Sequence, residues 1–200
     1  MRIDLRRVRI VLWTLVAFAS VGVGMMLGNR WLPDETAQQV DPNPIGGRFS
    51  LIDSTGKPVT PATFRGTPYA IFFGFTRCPD VCPTTLSRLA TLRKKLGADG
   101  DKFQIVFVSV DTGHDKPEDV GAYAKLFDTP ILGVTGTEQQ IADAAKSFRV
   151  FYSKVPVEGG YTMDHSAFTV LMDRNGRFKS LLSESDSEAQ ALAELRALIA

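Results

Sequence analysis

The residues best suited to chemistry are Cys78 and Cys82, the two cysteines of a 200-residue chain. They lie in FFGFTRCPDVCP, residues 72–83, where an apolar run (69–75) gives way to a helix-like segment. A residue before proline is pushed out of the right-handed helical region, so Cys78 before Pro79 and Cys82 before Pro83 are expected on a non-helical strand-to-helix loop. Pro83 suits the first helical position. That leaves Cys82 at or beside the N-cap, where the positive end of the helix dipole, helped by Arg77, favours a thiolate. Such a pair has three ordinary readings: small buried hydrophobes, a structural disulfide, or a redox couple. The flanking prolines and charges count against the first. Closing so short a loop removes little unfolded-state entropy, which counts against the second. The redox couple stays open.

What surrounds the pair bounds its chemistry. At 44% hydrophobic and 22% charged, the composition suits one domain with a substantial core, and a net charge of +1 argues against a nucleic-acid partner. The charge is uneven: residues 1–9 carry four arginines and one aspartate, leaving 19 basic and 21 acidic residues for the remainder. Behind those arginines, residues 10–28 are 19 positions without a charge, enough at about 1.5 Å rise per residue to cross the hydrocarbon core of a bilayer. The pattern predicts a single-pass signal anchor, with residues 1–9 cytoplasmic, Trp31 at the interface and the rest exported. Ala17-Phe18-Ala19 offers a cleavable alternative, but the apolar run continues to Leu27, which favours the anchor. Residues 29–45, rich in Pro, Asp, Asn and Gln, read as a tether. In an oxidising compartment an accessible cysteine pair becomes a disulfide unless something reduces or coordinates it.

From residue 46 onward the pattern predicts an α/β domain. Residues 49–52 and 57–60 flank a turn at 53–56. Residues 69–75 and 104–110 read as buried strands, and 84–96 as a helix with Leu86, Leu89, Leu92 and Leu96 on one face. A helix over 117–127 and a short strand over 131–134 follow. Thr135-x-x-Glu138 reads as a capping box for a helix reaching about residue 148. Residues 150–152 extend briefly into a loop over 154–164. Strands at 167–172 and 178–182 flank the hairpin turn Asp173-Arg174-Asn175-Gly176, and Ser185-x-x-Glu188 caps a last helix. The sum is a mixed central sheet with helices on both faces, which resembles the thioredoxin fold.

A third candidate is His165, just before the strand at 167–172. In a thioredoxin-like sheet the turn before that strand lies beside the cysteine-bearing junction, so two thiolates and an imidazole could meet at one point. Alone, it could as well be a loop histidine bonded to backbone. His114, in a polar loop without apolar neighbours, reads as solvated. Thioredoxin-like oxidoreductases place a cis-proline where this chain has His165 and Ser166, and they usually separate their cysteines by two residues; neither feature is present.

The stretches FGFTRCPDVCPTTL (73–86) and YTMDHSAFTVLMDRNGRF (161–178) resemble the SCO family of copper chaperones. So do Ile131-Leu-Gly-Val-Thr-Gly-Thr and Phe148-Arg-Val-Phe-Tyr. The resemblance covers nearly all of the exported domain. It implies that Cys78, Cys82 and His165 bind copper, as Cu(I) or Cu(II), and that the domain helps assemble the binuclear copper centre of cytochrome c oxidase subunit II. On this reading the protein is no enzyme. It sits on the exported, periplasmic side of a bacterial inner membrane and needs a copper donor and a thiol reductase that keeps Cys78 and Cys82 from remaining a disulfide. A thiol-disulfide oxidoreductase of the same fold is the alternative. Thiolates select Cu(I), an imidazole also accommodates Cu(II), and three ligands leave a position for a partner's ligand. A structural zinc site would call for a fourth ligand. Asp80 and Asp164, hard carboxylates unsuited to Cu(I), are expected with Arg77 to support the ligands or dock a partner, and Met163 is expected to pack. In one loop the resemblance weakens: many members read Asp-Pro-x-Arg-Asp-Thr-Pro where this chain has Asp111-Thr-Gly-His-Asp115-Lys-Pro117.

Overall fold

A computed structural model describes residue 13 and residues 45–200; the expected membrane span (10–28) and tether (29–45) lie, but for Trp13 and Ile45, outside the described residues. Among the described residues no helix is long and apolar enough to cross a membrane.

The domain is built on a seven-stranded mixed sheet. Its strands are β1 (Leu51–Asp53), β2 (Pro58–Val59), β3 (Tyr69–Gly74), β4 (Gln104–Ser109), β5 (Ile131–Thr135), β8 (Thr169–Met172) and β9 (Phe178–Leu182), in the order β2-β1-β5-β4-β3-β8-β9. β3 runs parallel to β4 and antiparallel to β8, and β4 runs parallel to β5. Every residue of β3 is buried, as its unbroken apolar run requires of a strand covered on both faces. The helices are α1 (Val81–Lys95), α2 (Pro117–Ala124), α3 (Glu138–Phe148) and α4 (Glu188–Ile199).

Alternation along β3 sorts the helices between the faces, because neighbouring residues point opposite ways. Phe72 stacks on its register partner Phe107, whose ring meets Tyr123 of α2. Gly74, two residues on, faces Cys82 of α1. Phe73 points to the other side and meets Phe148 of α3. The expected layering therefore holds, and the face carrying α1 and α2 is the one that carries the cysteines.

Four local expectations need correction. α1 begins at Val81 with Asp80 as N-cap, so Cys82 lies inside the first helical turn and not on the loop before it. The first turn has no intrahelical partners for its N–H groups, so Pro83 displaces no hydrogen bond there. The true caps of α3 and α4 are Thr137 with Gln140 and Ser187 with Gln190, two residues beyond the boxes expected at Thr135 and Ser185. Thr135 is spent as the last residue of β5, where its hydroxyl donates to the Ser109 carbonyl. The helix expected over 117–127 stops at Ala124. Finally, the loop expected over 154–164 is a hairpin of β6 (Tyr152–Val157) and β7 (Gly160–His165), turning at Glu158 and Gly159 with Gly159 at φ 82°.

Candidate metal centre

Three elements bring the site together. A turn after β3 holds Cys78 through its N–H to the Phe75 carbonyl (3.3 Å). The first turn of α1 presents Cys82, fully buried, with its N–H directed at the Cys78 sulfur (3.4 Å). The end of β7 delivers His165, whose ring stands edge-on to Phe72 and Phe75 at 5.8 and 5.9 Å. The two sulfurs and the imidazole nitrogen lie within 4.8 Å of one another, so the structure unites the three residues singled out in the sequence.

Hydrogen bonding sets the state of each donor. His165 Nδ1 lies 3.0 Å from the Ser166 carbonyl, which can only accept, so Nδ1 carries the proton and Nε2 presents its lone pair. That lone pair faces Cys82 Sγ at 3.4 Å. Both cysteines are free thiols. The thiolate expected at Cys82 is not favoured, because burial pushes its pKa well above the ordinary thiol value. Nor does Arg77 serve that sulfur; its guanidinium is tied to Asp111 at 3.1 Å. A metal ion arriving here therefore has to displace a proton from Cys82.

One side of the cluster is open. A pocket of about 190 Å³ is lined by Cys78, Asp80, Asp164 and His165 among others, but not by Cys82. Asp80 and Asp164 are exposed at its rim, and Met163 is buried in the core as expected.

The loop after β4 is built into the site, which the sequence reading missed. Asp115, buried, accepts from the Thr76 N–H (2.8 Å), the Thr76 hydroxyl (2.6 Å) and the Ser109 hydroxyl, fixing the turn ahead of Cys78. Asp111, also buried, binds Arg77, the Tyr161 hydroxyl (2.7 Å) and His114 Nδ1 (2.8 Å). His114 is an exposed loop residue, as expected, but it is also paired with Asp111 and stacked on Tyr161 at 4.5 Å. The signal available was the aspartate pair, 111 and 115, directly after a buried strand.

Fold and site together define a thioredoxin-like domain whose first strand-to-helix junction carries a soft-metal donor set of two thiols and one imidazole. Residues 37–200 match the SCO1/SenC family, and the chain belongs to it. It is 42% identical to copper-bound ScoI of Bradyrhizobium japonicum, with a TM-score of 0.71 over 77% of this chain and 99% of that one. Copper-bound yeast Sco1 is 34% identical, with a TM-score of 0.71 over 77% of this chain and 87% of its own. A SCO2-like protein of Rickettsia conorii is 36% identical over 174 residues, 82% of this chain and 85% of that protein.

Proposed function

We propose that the chain is a membrane-tethered copper chaperone that delivers the ion to the binuclear copper centre of cytochrome c oxidase subunit II. The observation that carries this reading is the convergence of two sulfurs and one imidazole nitrogen within 4.8 Å beside an open pocket. Thiolates hold Cu(I), and Nε2, already freed by the Nδ1 bond to Ser166, extends the site to Cu(II). Copper is cargo, and release proceeds by ligand exchange: a partner's ligand enters from the pocket side, where Cys78 and His165 are reachable. Cys82, fully buried, is the last to let go. Asp80 and Asp164 at the rim meet the donor or acceptor protein, and Arg77 holds the Asp111 loop. Residues 10–28 anchor the domain on the exported side of a bacterial inner membrane.

A Cys78–Cys82 disulfide would hold no metal, so a reductase in the same compartment has to return two electrons and two protons to the pair. The same proximity of the sulfurs supports a second reading, a thiol-disulfide oxidoreductase in which Cys78, the more exposed sulfur, attacks a partner disulfide. One experiment separates them. The full 200-residue chain, reduced anaerobically in detergent, is expected to bind one copper, and His165→Ala to bind it at least tenfold more weakly. Unchanged affinity in that variant, together with dithiol-dependent reduction of a protein disulfide, would favour the oxidoreductase.

A further inference from the structure

We propose that Tyr161 is a positioning residue for the metal centre: its hydroxyl, donated to Asp111, fixes where His165 stands relative to Cys82. The proposal rests on the reading of His165 as a copper ligand and adds to it what holds that ligand in place. His165 arrives on β7, and β6 and β7 pair only with each other, forming a two-stranded sheet apart from the seven-stranded one. An isolated hairpin of this kind is marginally stable and has to be fastened by side chains. Tyr161, Met163 and His165 alternate onto one face of β7. Met163 supplies burial without direction. Tyr161 supplies a directional tie, with its hydroxyl 2.7 Å from Asp111 Oδ1.

The anchor at the other end of that bond is firm. Asp111 follows β4 directly, is 2% exposed, and spends its second oxygen on Arg77 and His114. Arg77 neighbours Cys78, so a single carboxylate grips both the loop that carries the sulfurs and the hairpin that carries the imidazole. The surroundings are shaped around the tyrosine. The ring lies between His114, stacked at 4.5 Å, and the Lys154 ammonium, 5.1 Å from the ring centre. A side chain at position 113 would overlap the Tyr161 hydroxyl, so Gly113 makes room for the bond. The hydrogen bond to the carboxylate pushes the tyrosine pKa up to about 12, so the hydroxyl stays a donor well into the alkaline range. His165 lies four residues along β7, so a hairpin freed at Tyr161 could swing the imidazole off the 3.4 Å it keeps from Cys82 Sγ.

Tyr161→Phe removes one oxygen and leaves the ring stack intact. Cu(I) affinity is measured anaerobically on the full reduced chain in detergent, by competition with a chelator, for wild type, Y161F, H165A and the double variant. Cu(II)-loaded protein is followed in parallel by the imidazole nitrogen coupling in pulsed EPR. The expected result is a loss of about tenfold in Y161F, the lower end for outer-shell ligand supports, with weakened nitrogen coupling and no further loss when Y161F is added to H165A. Asp111→Ala removes the acceptor together with the Arg77 tie, so it is expected to weaken binding at least as much as Y161F, and adding Y161F in that background is expected to cost nothing more. An equal fold-loss from Y161F in both backgrounds, or no loss in wild type, overturns the proposal while leaving His165 a ligand. An H165A that binds as tightly as wild type overturns the ligand assignment and this proposal with it.

Discussion

Gly74→Ala changes no ligand and no charge, yet it is expected to disable copper binding. Gly74 ends β3 on the face that carries the sulfurs. A Cβ there would stand 2.6 Å from Cys82 Sγ, 3.1 Å from Phe107 Cε2 and 3.2 Å from Phe72 Cε1. Restoring an ordinary contact of about 3.5–4.0 Å requires the sulfur to retreat by about 1 Å. The two rings close the lateral routes, and Cys82 is fully buried in the first turn of α1, so the retreat moves the helix start as well. Metal sites tolerate ligand displacements of roughly 0.2 Å, so copper affinity should fall by about 10–100-fold. Overpacking of this kind also costs about 1–3 kcal/mol, or roughly 2–12 °C in Tm for a domain of this size. Chelator competition reads the first quantity and a melt of the metal-free chain the second. Lost stability with copper affinity within twofold of wild type would refute the sulfur as the group that yields; an unchanged Tm would refute the packing argument altogether.

Two further expectations follow from the buried polar groups. Asp115→Ala strips acceptors from the Thr76 N–H and the Ser109 hydroxyl and should cost about 2–4 kcal/mol in chemical denaturation; a loss below about 1 kcal/mol would mean that solvent replaces the carboxylate. Burial raises the Cys82 pKa, so in the metal-free protein the neutral thiol is the favoured form. Its contribution to stability is full below the ordinary thiol value and is lost as pH rises through the folded one. With Cys82 as a ligand, as proposed, copper binding expels that proton, so apparent affinity should rise with pH by about tenfold per unit for each proton released. Titration of copper binding in buffers of different ionisation enthalpy counts the protons, and a pH-independent affinity would contradict a protonated Cys82.

Much of the fold was legible because β3 and β4 are unbroken apolar runs that only a doubly covered strand can bury, and because α1 keeps Leu86, Leu89 and Leu92 on one buried face. The start of α1 was misplaced because the pre-proline rule describes a lone peptide, whereas packing holds the first turn at Cys82 in helical form. The caps slipped by two because Thr135 and Ser185 satisfy the same local pattern as Thr137 and Ser187, and only tertiary context assigns Thr135 to β5. The β6–β7 hairpin was missed because β6 carries Lys154 and Pro156, and its only alternating apolar residues, Val155 and Val157, are exposed and mark no buried face. Cys78, Cys82 and His165 could be singled out by type and motif. The Asp111 network could not: His114 is a local partner three residues on, but Arg77 and Tyr161 lie 34 and 50 positions away, contacts that no local spacing encodes.

The two halves of the site are held by different physics, and that difference bears on transfer. Cys82 is fixed by the core itself, against Gly74 and among Phe72 and Phe107, so its position costs packing energy to change. His165 is fixed by hydrogen bonds and ring contacts at the end of a hairpin that lies outside the main sheet. Cys78 stands between them, partly exposed on a turn secured through Thr76 and Asp115. A carrier has to hold copper tightly enough to keep it and loosely enough to surrender it. His165 borders the open pocket and is held by the Ser166 carbonyl and two ring edges, so its side chain can turn away while Met163 stays seated in the core, whereas Cys82, wedged against β3, cannot leave without repacking. On the proposed reading, loss of His165 and Cys78 before Cys82 is therefore the expected order, set by which contacts each side chain would have to break.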